Sequence, residues 1–531
     1  MRFAGLALAL LIPTALQAQH DHHAGQSLGS VTFTTSCAAA VQPDVNRAMA
    51  MLHSFWFQEA NRAFTQVAAA DSTCAIAHWG VAMTQWGNPF VRQPIPADRI
   101  KAGVAAAERA AALAPRATHR EQLYVDAALA LWRDAEKVNH EERMARHEAA
   151  MEKLYAAHPE DAEAAMFYAR AVIAHAPPAD LEFKRQLYAA SLLEPLFQRQ
   201  PDHPGLAHYI IHTFDSPKLA SHGLAAARRY AAIAPAAPHA LHMPSHIFTR
   251  LGHWDESIET NRRSAAAEPD VASAVHAHDY MVYAFLQQGR DGEARQIVSR
   301  TLEATRDAPG KVYFYGAILG YNAMALPSRY ALERSAWGEA AQVAVPPGDA
   351  APYVEAVARF TRAIGQARSG QSAAAKAEVQ RLAALRDTLA ARGDAYWATV
   401  VGAQRLAAEA WVAQAESRKA DAADLARRGA ELEETVEKHP ITPGPLLPAR
   451  ELEADLLMEL GRPADALRSY DLTLAREPGR ARALYGAARA AARAGNREVA
   501  RSRFEALARL MVHADSTRTE PREARAYLAA R

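Results

Sequence analysis

Cysteine is nearly absent from this chain, with two in 531 residues. That excludes a disulfide-dense scaffold and a zinc site built from cysteine alone. Net charge is nearly absent as well. Sixty Lys+Arg face 59 Asp+Glu, which argues against nucleic acid or an anionic membrane as a partner held by bulk charge. Past the first residues there is no uninterrupted apolar run of about 18, the least that a membrane-spanning helix needs. Apolar material itself is plentiful. Half the residues are hydrophobic and 22% are charged, so the chain has enough for a core and does not read as disordered. Its length admits roughly three domains or one long repeat array. Histidine is abundant, with 22 residues. If a metal is held, imidazole and carboxylate must hold it.

The opening residues read as an export signal. Arg2 supplies positive charge, Phe3 to Ile12 is an apolar run, and Ala15-Leu16-Gln17-Ala18 offers small residues for cleavage near Ala18. The expectation is a periplasmic or secreted protein. In an oxidising compartment Cys37 and Cys74 are candidates for a disulfide, the alternative being two buried thiols.

The body of the chain repeats. Gly461-Arg462-Pro463-Ala464-Asp465-Ala466, then Tyr470 and Pro478, is echoed one unit later by Gly495-Asn496-Arg497, Ala500 and Phe504. Gly252-His253-Trp254-Asp255-Glu256 with Pro269 follows the same scheme, as do Gly289, Ala294 and Thr301. Phe57, Glu59, Ala60 and Phe64, followed by Asp71, fit the second half of one unit. Each unit reads as a helix, a tight Gly-bearing turn, a second helix and a Pro-marked end. On these residues the chain resembles the tetratricopeptide repeat (TPR) family, in an exported, bacterial-type form. The match is best over 204–308 and 447–514, looser over 41–203 and weakest over 309–446. The resemblance implies an all-α, TPR-like solenoid of helical hairpins, about ten pairs by our reading. It also implies a concave groove lined by the first helix of each pair, where such proteins take a peptide or protein partner. The expected organisation is a signal peptide (1–18), a histidine-containing tail or extended segment (19–40), divergent helix pairs (41–203), His-rich repeats (204–308), divergent pairs (309–446) and C-terminal repeats (447–531).

Ten of the 22 histidines lie between His203 and His278. His208 and His212 are four apart, as are His242 and His246, and the second pair follows the first by one repeat length. Residues four apart on a helix share a face, and packed helices run about 8–10 Å apart. The four imidazoles are therefore expected at the corners of one rectangle that converges on a single ion, zinc or copper by ligand type. His239, His276, His278, Asp279 and Asp215 are secondary candidates. Pro244 threatens the rectangle. If the helix begins there, His242 leaves the shared face. The HxxxH spacing also suggests a zinc peptidase, but Tyr209, Met243, Ile211 and Ser245 stand where the general-base Glu would be.

Other signals weigh less. His20-Asp21-His22-His23 reads as a solvated tail. Gly25-Gln26-Ser27-Leu28-Gly29 matches GxSxG but lacks the strand before it that a nucleophile elbow needs. Gly365 to Gly370 has phosphate-loop spacing, yet Gln371 replaces the lysine and the stretch reads as a hairpin turn. Trp56, Trp79 and Trp86 read as core. The C-terminal 447–531, with 16 Arg against 12 Asp+Glu, reads as a solvated, ion-paired face. Three functions stay open: an exported scaffold with a peptide or protein partner in its groove, a metal-handling protein, and a metal-dependent enzyme. No activated nucleophile or oriented general base can be named for the last, so the reading leans away from catalysis.

Overall fold

Helix boundaries follow the caps written into the chain. Thr118 and Glu121 close a reciprocal capping box on His119–Trp132, and Asp161 and Asn496 cap Ala162–Ala174 and Arg497–Leu510. Hairpins turn where glycine enters the left-handed region: Gly252 at φ 72°, Gly289 at 71°, Gly461 at 75° and Gly495 at 82°. The computed structural model describes residues 27–91, 95–306 and 317–530. The export-signal residues, the His20–His23 tail and Gly25 lie outside that range.

The architecture is an all-helical solenoid of hairpins. Gln42–His53 packs on Phe57–Ala70, Ala75–Trp86 on Ala97–Leu113, and so on to Ala481–Arg493 on Arg497–Leu510, with Glu520–Ala529 closing the stack. No strand occurs among the described residues, and no described helix is long and apolar enough to cross a membrane. The pairing continues through 317–433, where the repeat pattern is weakest, because alternating apolar faces suffice to stack helices even without the signature residues. Gly365 lies in the last turn of Pro352–Arg368 and Gly370 in the turn that leads to Ser372–Ala391. Trp79 and Trp86 are core. Cys37 and Cys74 are joined by a disulfide that ties the extended N-terminal segment to the start of Ala75–Trp86.

The solenoid curls until it meets itself. The Trp254 indole donates to the Gly479 carbonyl at 3.1 Å, and the Gln287 side chain accepts from the Ala481 amide at 3.0 Å. Gly252 is required at this meeting, since a Cβ there would stand 2.5 Å from the Pro478 carbonyl. The C-terminal arginines are correspondingly not all a solvated face. Arg480 is fully buried against Glu451 (2.6 Å) and Glu333 (2.8 Å), and donates to the Tyr283 hydroxyl.

The concave face is closed over the His-rich repeats. Between helices Lys419–Glu433 and Ala449–Glu459 the chain crosses it as a non-helical strap. Along the strap, Lys438 reaches Asp215 (2.9 Å), His439 Nε2 donates to the Val91 carbonyl (3.1 Å), and the Thr442 carbonyl accepts from Tyr280 (3.2 Å). Buried Arg329, paired with buried Asp279 at 2.8 Å, donates to the Gly444 and Pro445 carbonyls. The expected open groove is therefore filled at this point by the chain itself, which satisfies its own inner-face polar groups.

Candidate metal centre

Pro204–Phe214 starts at a proline in its first turn and carries His208 and His212 on one face. The next first helix comes in two parts, Pro238–His242 and Pro244–Leu251. Met243 between them keeps right-handed helical angles (φ −54°, ψ −35°), so the rotation carries through Pro244. His242 and His246 stay on one face, their Nε2 atoms 3.0 Å apart. The third first helix, Val275–Gln287, brings His276.

The single rectangle expected from the sequence does not form. The histidines sort into two triads, His208/His212/His239 and His242/His246/His276, each with its ligand atoms within 4.8 Å of one another. The two triads are built alike. Each takes an HxxxH pair from one helix and a third imidazole from the first helix of the following unit. The rectangle fails because each pair finds its partner at the start of the next helix, not at the next pair. The triads share a wall, with His212 and His246 ring centres 5.9 Å apart and those of His239 and His242 6.0 Å apart.

Of the secondary candidates, His239 and His276 thus join the centre. Asp215 supports it from outside, accepting from His246 Nδ1 (2.8 Å), Arg250 (2.9 Å) and Lys438 (2.9 Å). His278 and Asp279 lie elsewhere. His278 Nδ1 bonds the Thr301 hydroxyl, and Asp279 is committed to Arg329 and Asn322.

The outer nitrogens fix the tautomers. His208 Nδ1 faces the His53 carbonyl at 2.6 Å and must donate to it. His242 Nδ1 faces Asn261 Oδ1 at 2.6 Å, the amide being oriented by its own donation to the Ser257 carbonyl. His246 Nδ1 donates to the Asp215 carboxylate. With the proton on Nδ1, each ring presents a lone pair at Nε2. His242 and His246 therefore aim two lone pairs at each other across 3.0 Å. His208 Nε2 and His239 Nε2 approach to 3.2 Å, and His212 Nε2 and His276 Nδ1 are buried with no hydrogen-bond partner. Burial is the largest influence on all six imidazoles and holds each below its ordinary pKa. For His246 burial, Lys438 and Arg250 together outweigh Asp215. An added proton is thus disfavoured as the group that relieves the facing lone pairs. An ion about 2.0–2.1 Å from each of two nitrogens in tetrahedral geometry spaces them by about 3.3 Å, close to what both pairs show. A ligating imidazole whose other nitrogen donates to a carbonyl or carboxylate is the usual outer support of a metal site.

The roof is aromatic. Phe55 holds φ 54° at a hairpin turn, a left-handed conformation that several other turns of this chain give to glycine. Its ring lies 4.4 Å from that of His208, 5.5 Å from His239 and 6.0 Å from His212. The Gly87–Asp98 insertion supplies Phe90, whose ring stands 4.0 Å from that of His212. On the other flank, Arg250 and Lys438 line a pocket with Tyr396, Trp397 and His439.

Sequence reading missed a third buried cluster. Glu163 accepts from His53 Nε2 (2.8 Å) and His203 Nε2 (3.0 Å), and His53 Nδ1 meets the Tyr209 hydroxyl (2.9 Å). Burial pushes the Glu163 carboxyl up, but His53 and His203 together outweigh it and hold the group well below the carboxylate range. A Cβ at Gly205 would stand 2.5 Å from His53 Nδ1, so glycine there lets the His53 ring sit against Pro204–Phe214 and its carbonyl reach His208. The cluster positions the first triad. Nothing local in the sequence marks it, because its members come from three separate hairpins.

No family model matches this chain, and no curated protein does. Among solved structures it is similar to a monomeric mutant of IFIT1 with Gppp-AAAA, at a TM-score of 0.41 and 12% identity over 90% of this chain and 96% of that one. It is also similar to the TPR domain of P58(IPK), at a TM-score of 0.21 and 15% identity over 69% of this chain and 98% of that one. Likeness at this level speaks to neither partner nor chemistry. The solenoid assignment rests on the chain's own helix pairing.

Proposed function

We propose that this solenoid is a metal-handling protein whose working part is the six-imidazole centre, one ion to each triad. The observation that carries the reading is the facing pair of His242 and His246 Nε2 lone pairs at 3.0 Å, with both Nδ1 protons committed elsewhere. Buried polar groups are normally satisfied, and a cation satisfies these. The ligand type suits zinc or copper. The carboxylate touching the centre, Asp215, is held by Arg250 and Lys438 and is not free as a general base. This favours a carrier or store over a hydrolase. The strap over the concave face weighs against a peptide bound at these repeats. The Cys37–Cys74 disulfide supports a working place outside the reducing cytoplasm.

The test is elemental analysis of untagged protein after equilibration with zinc or copper salts. Two ions per chain are expected, and none in a protein carrying His208→Ala and His242→Ala together. A chain that takes up neither metal at micromolar supply refutes the reading.

A further inference from the structure

The charges around the centre say which kind of ion it takes. Six neutral imidazoles supply no negative charge. The first triad is enclosed by the His53 carbonyl, Phe55, Phe90 and Tyr230, with no carboxylate in contact among the described residues. The second touches the single carboxylate of Asp215, and that charge is already met by Arg250 and Lys438 within 2.9 Å. Glu437, next outward, is engaged by Arg250 and Arg476. The carboxylates that reach the centre thus bring no surplus negative charge to it, and Glu163, behind the first triad, is held by His53 and His203. Two divalent ions here would add four positive charges with nothing to balance them, and desolvating charge without compensation is costly. Two monovalent ions halve that charge. Among ions suited to imidazole, copper is the one with a stable monovalent state, and it accepts a set of three nitrogens.

Resting on the metal-handling reading above, we infer that the two triads hold a pair of copper ions in the monovalent state. Each triad is a complete three-nitrogen site, so each can hold its ion while the other is empty. The shared wall of His212, His239, His242 and His246 keeps them neighbours.

The experiment titrates the full-length chain anaerobically with Cu(I) against a chromophoric Cu(I) chelator. Zn(II) and Co(II) are titrated in parallel and then in competition. The expected result is two Cu(I) per chain, not displaced by a tenfold excess of Zn(II). His208→Ala and His242→Ala, each checked for native helicity by circular dichroism, should retain one Cu(I) apiece. Two Zn(II) or Co(II) per chain that equimolar Cu(I) does not displace would overturn the inference and leave the metal centre standing. Uptake of no metal of any kind would remove the centre as well. Loss of all copper in both single variants would show one shared site in place of two.

Discussion

Asn261→Leu tests the tautomer argument at its most exposed point. Asn261 is fully buried, and its Oδ1 accepts the His242 Nδ1 proton at 2.6 Å. Leucine fills similar volume without an acceptor. An unpaired buried N–H costs about 1–3 kcal/mol. In the metal-free protein the His242 ring has a way out. The proton moves to Nε2, which then donates to the His246 Nε2 lone pair 3.0 Å away. Metal binding must reverse that transfer, so the substitution weakens binding more than it weakens the fold. Loss of an outer partner lowers metal affinity about 10- to 100-fold, or about 1.4–2.7 kcal/mol. The first triad, anchored on the His53 carbonyl, is an internal control. A chelator-competition titration should therefore split into two steps, one at the parent affinity and one weakened. Histidine ¹⁵N shifts of the metal-free variant should show His242 protonated at Nε2. Two ions bound as tightly as in the parent, or both weakened alike, would refute the reasoning.

Removing the disulfide with Cys37→Ser and Cys74→Ser frees a loop whose ends lie 37 residues apart and should cost about 4 kcal/mol in the chain-entropy model, read by urea denaturation. Arg329→Met strands the buried Asp279 charge. It should destabilise by about 3–5 kcal/mol and bring proteolytic cleavage between 434 and 448, mapped by mass spectrometry. Burial holds His147 down to about 4 from 6.5. Its folded pKa is the lower one, so its contribution is complete above pH 6.5 and is lost as pH falls through 4. The loss is about 3 kcal/mol, and His147→Gln should flatten the stability profile in that window by about one proton.

The helices and their order were legible because turn glycines, caps and apolar periodicity are local. The two HxxxH pairs were legible because both the i,i+4 spacing and the repeat register can be read from one strand of text. The third histidine of each triad carried a signal as well. His239 follows His212 by 27 residues and His276 follows His246 by 30, each near the start of the next first helix. That pairing divides six histidines into two threes. Pro244 misled in the other direction, since a proline in a helix's first turn breaks nothing when the residue before it keeps helical angles. What no local reading could supply came from far along the chain: the His53 carbonyl and Phe55 from the first hairpin, Phe90 from an insertion, and Lys438 from the strap. The buried Arg480 was hidden for the same reason, its acids lying on other hairpins.

The strap also alters what kind of polymer this is. A stack of repeats ordinarily behaves as a one-dimensional chain of neighbours, able to nucleate, fray or lose units anywhere along its length. Here residues after 434 complete surfaces begun at Val91, Asp215, Tyr280 and Arg329. During synthesis the histidine repeats emerge long before the segment that roofs them, so the centre matures only when the later chain folds back. Units between Val91 and the strap cannot be inserted or deleted without moving one anchor away from the other. Such an array trades the modularity of a repeat protein for all-or-none unfolding, and its evolution is tied to a fixed number of units.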